Sequence, residues 1–154
     1  MRRGSLLPLC VASALFVAGF GQQPLPPGVA GHIESQDAFW DILASAPVTL
    51  DSKSGTYRVS FPEQVKGYDG SRLKITGFFL PIETDTKPRR FGLSRRNLSC
   101  PFCPPSKPTE VIEVVTLEKI TPVVNEMMIV EGKLKLVTDG SKGLFYRLEG
   151  AVVK

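Results

Sequence analysis

The sequence predicts a small, mainly β domain: an OB-like, five-stranded, partly closed barrel with one short N-terminal helix. Three observations lead there. From Phe61 onward, apolar residues recur with a period of two, the signature of half-buried strands. Three of those segments share an echo, Ile75-Thr76-Gly77, Val130-Glu131-Gly132 and Leu148-Glu149-Gly150. The 154 residues include 13 Pro and 14 Gly, which suit many short strands and turns better than long helices.

The chain opens with a segment that is not part of this domain. Met1-Arg2-Arg3 is a positive start, and Leu6 to Phe20 is apolar or small throughout. That run is shorter than the roughly 20 residues a spanning helix needs. Gly19-Phe20-Gly21 then places small residues before a cut ahead of Gln22, with Gly28-Val29-Ala30 as a second such place. Residues 1–21 therefore read as a secretory signal peptide, with an uncleaved anchor as the alternative. The expected location is periplasmic or extracellular. Cys10 falls inside the apolar run and is discarded with it. Without Arg2 and Arg3 the 19 basic residues become 17 against 15 acidic, a net charge of +2. A balance of that size is no nucleic-acid signature by itself.

Residues 22–60 read as a Pro- and Gly-rich linker followed by the short helix. Ser35 is placed to cap that helix, with Asp37 near its positive end. Phe39, Ile42 and Leu43 share a face, Trp40 beside them is expected in the core, and Pro47 ends the helix. Residues 61–154 form the barrel. Leu73, Ile75, Gly77 and Phe79 face one way against Arg72, Lys74 and Thr76. Met128, Val130, Gly132, Leu134 and Leu136 repeat the pattern, as do Leu144, Tyr146, Leu148, Gly150 and Val152. Thr109 to Leu117 is apolar apart from Glu110, Glu113 and Thr116, which suits a central strand. Phe91 to Leu93 supplies part of a fifth. Glycines at like places in three strands imply the sharp coiling that small barrels need. Asp69-Gly70 and Asp139-Gly140 are turn signals.

The chemistry is concentrated in one loop, Asn97 to Pro108, around Cys100-Pro101-Phe102-Cys103. Two cysteines at this spacing serve a disulfide, a metal or a redox cycle. An exported protein meets an oxidising compartment, where the pair closes as a disulfide. So short a loop gains only about 1–2 kcal/mol of chain entropy, which makes stabilisation alone a weak reason to keep it. As thiolates the pair suits zinc or copper(I), but a closed zinc site needs four ligands. His32 is the only histidine and the one extra nitrogen ligand on offer; carboxylates or a second subunit would complete the site. A thioredoxin-like role is opposed by Pro104, Pro105 and Pro108, which block a helix after the pair.

Lys87, Arg89, Arg90, Arg95 and Arg96 crowd just before this loop, with Phe91 among them. OB barrels hold single strands with basic grooves and stacked aromatics. The leader argues against nucleic acid, and a solvated, mobile loop is the plainer reading. As a binding patch these five residues suit an anionic membrane surface, an acidic polymer or an acidic partner face. No nucleophile elbow, zinc-protease motif or phosphate loop occurs, so an enzyme is the less favoured class. Three readings stay open: a non-enzymatic binding module whose Cys loop takes a metal ion or a protein partner, a thiol–disulfide exchanger, and a structural part of an envelope complex.

The blocks Gly70-x-Arg72-Leu73-Lys74-Ile75-Thr76-Gly77-Phe78-Phe79-Leu80-Pro81, Phe91-Gly92-Leu93, Cys100-Pro101-Phe102-Cys103-Pro104 and Val130-Glu131-Gly132 resemble a bacterial family of exported proteins known as domain of unknown function 3299. The resemblance covers roughly residues 61–154. It implies an OB-like barrel with a Cys-containing, Pro-rich loop and no established reaction. Some members carry a His two residues after the Cys; this chain has Phe102 there and Cys103 next.

Overall fold

The computed structural model describes residues 37–98 and 106–154. Asp37 organises the start. Its Oδ1 accepts from the N–H of Phe39 (3.0 Å), the first residue of helix α1 (Phe39–Ala44), and its Oδ2 accepts from the Thr76 N–H (3.1 Å). Ser35, the expected cap, lies outside the described residues. Trp40 is fully buried, and its indole N–H donates to the Thr76 carbonyl at 2.8 Å. Leu43 is buried beside it, and its carbonyl accepts from the Tyr146 hydroxyl at 2.7 Å. Burial pushes that phenol well above its ordinary value, so it stays a donor.

Segment 22–60 holds more than a linker and a helix. After α1 come β1 (Val48–Asp51) and β2 (Thr56–Val59), an antiparallel hairpin of their own; beyond residue 60 a single helical turn, α2 (Glu63–Lys66), precedes the barrel strands. Asp51 turns the hairpin by accepting from the Lys53 and Ser54 N–H groups (3.0 and 3.4 Å).

The barrel strands are β3 (Arg72–Leu80), β4 (Arg90–Ser94), β5 (Val111–Thr116), β6 (Met127–Leu136) and β7 (Tyr146–Val153). They run in the order β3-β4-β5-β7-β6 and close, where the sequence predicted only partial closure. Closure comes from β6 pairing β3 from Arg72↔Lys133 to Phe78↔Met127, and from β5 pairing β7 in parallel. The other neighbours are antiparallel. This is OB-like topology. Ile75, Phe91, Leu93, Ile112, Val114, Val130, Leu134 and Leu148 fill the interior, and α1 and Phe145 join the same core.

The three echoed glycines serve different ends. At Gly77 an added Cβ would lie 2.7 Å from the Ser94 carbonyl oxygen, so β3 and β4 cross there too closely for a side chain. Gly132 meets Ala151. Gly150 has φ +57° and sits at a β-bulge. Across it, Glu131 and Lys133 on β6 pair with Val152 and Glu149, one residue too many on β7. The bulge corrects the predicted facing. Ala151 turns inward, whereas Gly150 and Val152, expected inside, are exposed.

One charge cluster is built into the wall around a buried acid. Glu113 is 3% exposed on β5, and Arg147 lies directly across from it on β7. Its carboxylate accepts from Arg147 Nε at 2.6 Å and from Arg90 on β4, and Arg90 also reaches Glu83 at 3.2 Å. Burial pushes the Glu113 carboxyl up, but the hydrogen bonds and charges of Arg147 and Arg90 outweigh it and hold the group below its ordinary value of 4.5. A depressed pKa contributes stability that is present above the unfolded value and is lost as pH falls through the folded one. Stability should therefore be steady above pH 4.5 and decline on acidification below it. Glu113→Gln should cost about 2 kcal/mol at pH 7, because the arginines remain partly solvated, and should flatten that decline. Urea midpoints between pH 7 and pH 3 measure both; parallel curves for the two proteins would show that Glu113 is not responsible.

Candidate functional site

The Cys loop leaves the barrel from the end of β4 and returns through the 3-10 turn Pro108–Glu110 into β5. Cys100 and Cys103 lie outside the described residues, as does His32. What the structure shows is how both stems are held. Ser94, Asn97 and Glu110 are buried polar residues, an arrangement that requires partners. Ser94 Oγ and Ser106 Oγ share a hydrogen bond at 3.0 Å, joining the outgoing stem to the returning one. The Arg96 N–H donates to Ser94 Oγ at 3.3 Å. Glu110 binds both sides: its Oε1 pairs with Arg96 Nη2 at 3.3 Å and its Oε2 accepts from the Lys107 N–H at 3.0 Å. Its own N–H donates to the Lys107 carbonyl, while its carbonyl accepts from the Arg95 N–H at 3.0 Å. The Arg95 guanidinium, mostly buried, pairs with Asp41 of α1 at 2.9 Å. Segment 99–105 therefore departs from a fixed polar platform at one end of the barrel.

Beside the returning stem lies a cleft of about 300 Å³ lined by Ala44, Ala46, Val48, Tyr57, Lys107, Pro108 and Thr109. Among the described residues, no three His, Cys, Asp or Glu side chains converge as a metal site. Among the same residues, no helix is long and apolar enough to cross a membrane.

The basic stretch is divided: Lys87 and Arg89 stay exposed on the loop before β4, whereas the other three are held by acids. Arg90 is engaged by Glu113 and Glu83, Arg95 by Asp41, and Arg96 by Glu110. Lys87 and Arg89 lie at the start of β4, at the opposite end of the barrel from Arg95 and Arg96. Phe91 is fully buried and packs on Phe79 with ring centroids 5.4 Å apart, so it offers no surface for base stacking. Alternation along β4 turns Phe91 and Leu93 into the core and leaves Arg90 to Glu113, while Arg95 and Arg96 follow the strand. Glu110 and Glu113 organise these pairs and were passed over as site residues. Their signal was two isolated acids in an otherwise apolar strand, each needing a cation to be buried.

No protein-family model and no curated protein matches the sequence. The described fold is similar to the crystal structure of a DUF3299 family protein from Pseudomonas aeruginosa. The TM-score is 0.50 at 21% sequence identity, over 62% of this chain and 67% of that one. The barrel thus has the fold of a protein from the family its sequence blocks resemble, the domain of unknown function 3299.

Proposed function

We propose that this chain is an exported, non-enzymatic binding module of the DUF3299 kind, whose Cys100–Cys103 loop takes a soft metal ion or a protein partner. The observation that supports the reading is the locked platform. Buried Glu110 and the Ser94–Ser106 contact hold both stems of a seven-residue span, 99–105, that contains both cysteines. Preorganised stems lower the ordering cost of binding in the loop between them. Cys100 and Cys103 supply two thiolates for zinc or copper(I); His32, a carboxylate or a partner completes the shell. Arg95 and Arg96 enter this reading as structural supports, not as an anion patch.

Native mass spectrometry of protein recovered from the export compartment tests it. The expected result is one zinc or copper ion per chain, lost in Cys100→Ser/Cys103→Ser, with the metal-free forms of the two proteins melting alike. Metal uptake that survives the double substitution removes the loop as ligand. A metal-free mass about 2 Da below the reduced chain reports a disulfide instead. The thiol-exchange reading then predicts a reduction potential well above that of structural disulfides.

A further inference from the structure

The barrel end opposite the Cys loop carries an apolar surface that is unpartnered among the described residues. The connection from β5 to β6 and the last residues of β7 meet there. Five of the large apolar side chains exposed among the described residues gather at this end: Leu117 (63% exposed), Val123, Val124 (63%), Met127 and Val152. The surface is both concave and convex. β5 stops at Thr116 while β7 runs on to Val153, and between them lies a groove of about 370 Å³ lined in part by Leu117, Ile120, Val152 and Val153. Val123 and Val124 stand on the adjoining connection as apolar knobs.

The rim is polarised. Glu118 and Glu126 on the connection have no ionic partner among the described residues, and neither do Lys87 and Arg89 on the β3–β4 loop. The two loops are joined side by side. The Ile120 N–H donates to the Pro88 carbonyl at 3.1 Å, the Thr116 N–H donates to the Arg89 carbonyl at 2.8 Å, and Lys119 pairs with Asp85 at 3.0 Å. One end thus presents an acidic lip and a basic lip around an apolar centre.

We infer that this end is the interface of a symmetric dimer, and that its occupant is a second copy of this chain. In a two-fold contact the same patch meets itself, so a self-complementary surface needs a knob with its groove and both signs of charge. This end has both. A two-fold axis through the apolar centre sets the acidic lip of one copy against the basic lip of the other. An anionic membrane would be met by a uniformly basic rim, which Glu118 and Glu126 contradict. The inference is independent of the Cys loop, which leaves the other end of the barrel.

Sedimentation equilibrium on the purified chain, from about 1 to 200 µM, tests it. A dimer is expected, with Leu117→Glu/Val124→Glu weakening association by at least about tenfold. Leu50→Glu, an exposed apolar position on the hairpin, should leave it unchanged. Glu118→Lys/Glu126→Lys should weaken the homodimer, and mixing it with Lys87→Glu/Arg89→Glu should restore a mixed dimer. A monomer across the whole range overturns the inference, whether or not that monomer cosediments with phosphatidylglycerol vesicles. A dimer indifferent to Leu117→Glu/Val124→Glu, or charge variants that do not rescue each other, overturns it equally.

Discussion

Gly140→Ala is expected to detach the β1–β2 hairpin from the barrel, at a cost of about 3 kcal/mol or more. A Cβ built at Gly140 lies 1.6 Å from the Tyr57 carbonyl oxygen and 2.6 Å from its carbon. Both are backbone atoms in β2, so no rotamer change relieves the overlap. Either the 3-10 turn Gly140–Lys142 or the strand must move. The hairpin pairs only with itself, in a sheet separate from the barrel, so it is the part that gives way. Hydrogen exchange should show protection lost across residues 48–59 and retained in β3, β5 and β6. Gly55→Ala separates crowding from conformational strain. Gly55 has φ +66° with nothing near its side-chain position, so it should cost only about 1–2 kcal/mol. If Gly140→Ala melts with the parent protein, the close approach of β2 to this turn is not part of the folded state.

The second large effect is expected at Trp40. Its fully buried indole fills the space between α1 and the barrel, and Trp40→Ala should cost about 3–5 kcal/mol. Trp40→Phe keeps most of the apolar volume but abandons the bond to the Thr76 carbonyl. That carbonyl is then left to find another donor, at about 1–2 kcal/mol. The two variants separate packing from hydrogen bonding in denaturant melts. Equal losses would mean that the 2.8 Å bond, not the ring, fastens the helix.

What was legible in the sequence follows from how strongly each segment constrains itself. β3 and β6 alternate cleanly, with Lys and Arg on one face and Ile, Val or Leu on the other, so their strand state and facing could be read directly. β5 read as central because it is apolar on both faces, and it lies between β4 and β7. Trp40 was expected in the core and is there. The failures share a cause: each depends on a partner distant in sequence. The facing of Ala151 and Val152 follows from a bulge opposite β6. The hairpin strands have only four residues each, and its buried turn partner, Gly140, lies far along the chain. Among the basic residues, Arg90, Arg95 and Arg96 are indistinguishable from a solvated run until Glu113, Asp41 and Glu110 are brought to them. The stem platform was hidden for the same reason. Ser94 and Ser106 flank the Cys loop as two ordinary serines, and only the meeting of β4 with β5 makes them a clasp.

A barrel whose first strand lies beside β6 also closes late. β3 exposes an unpaired edge until Met127 to Lys133 have been synthesised, and β5 does so until β7 follows. Few of the stabilising pairings are local, so this domain belongs among slow, high-contact-order folders, on a scale of about milliseconds to seconds. A nascent chain lacking its last strand therefore has no closed barrel to fall into. It stays pliable through synthesis, and commits to its native form only when nearly all of it is available at once.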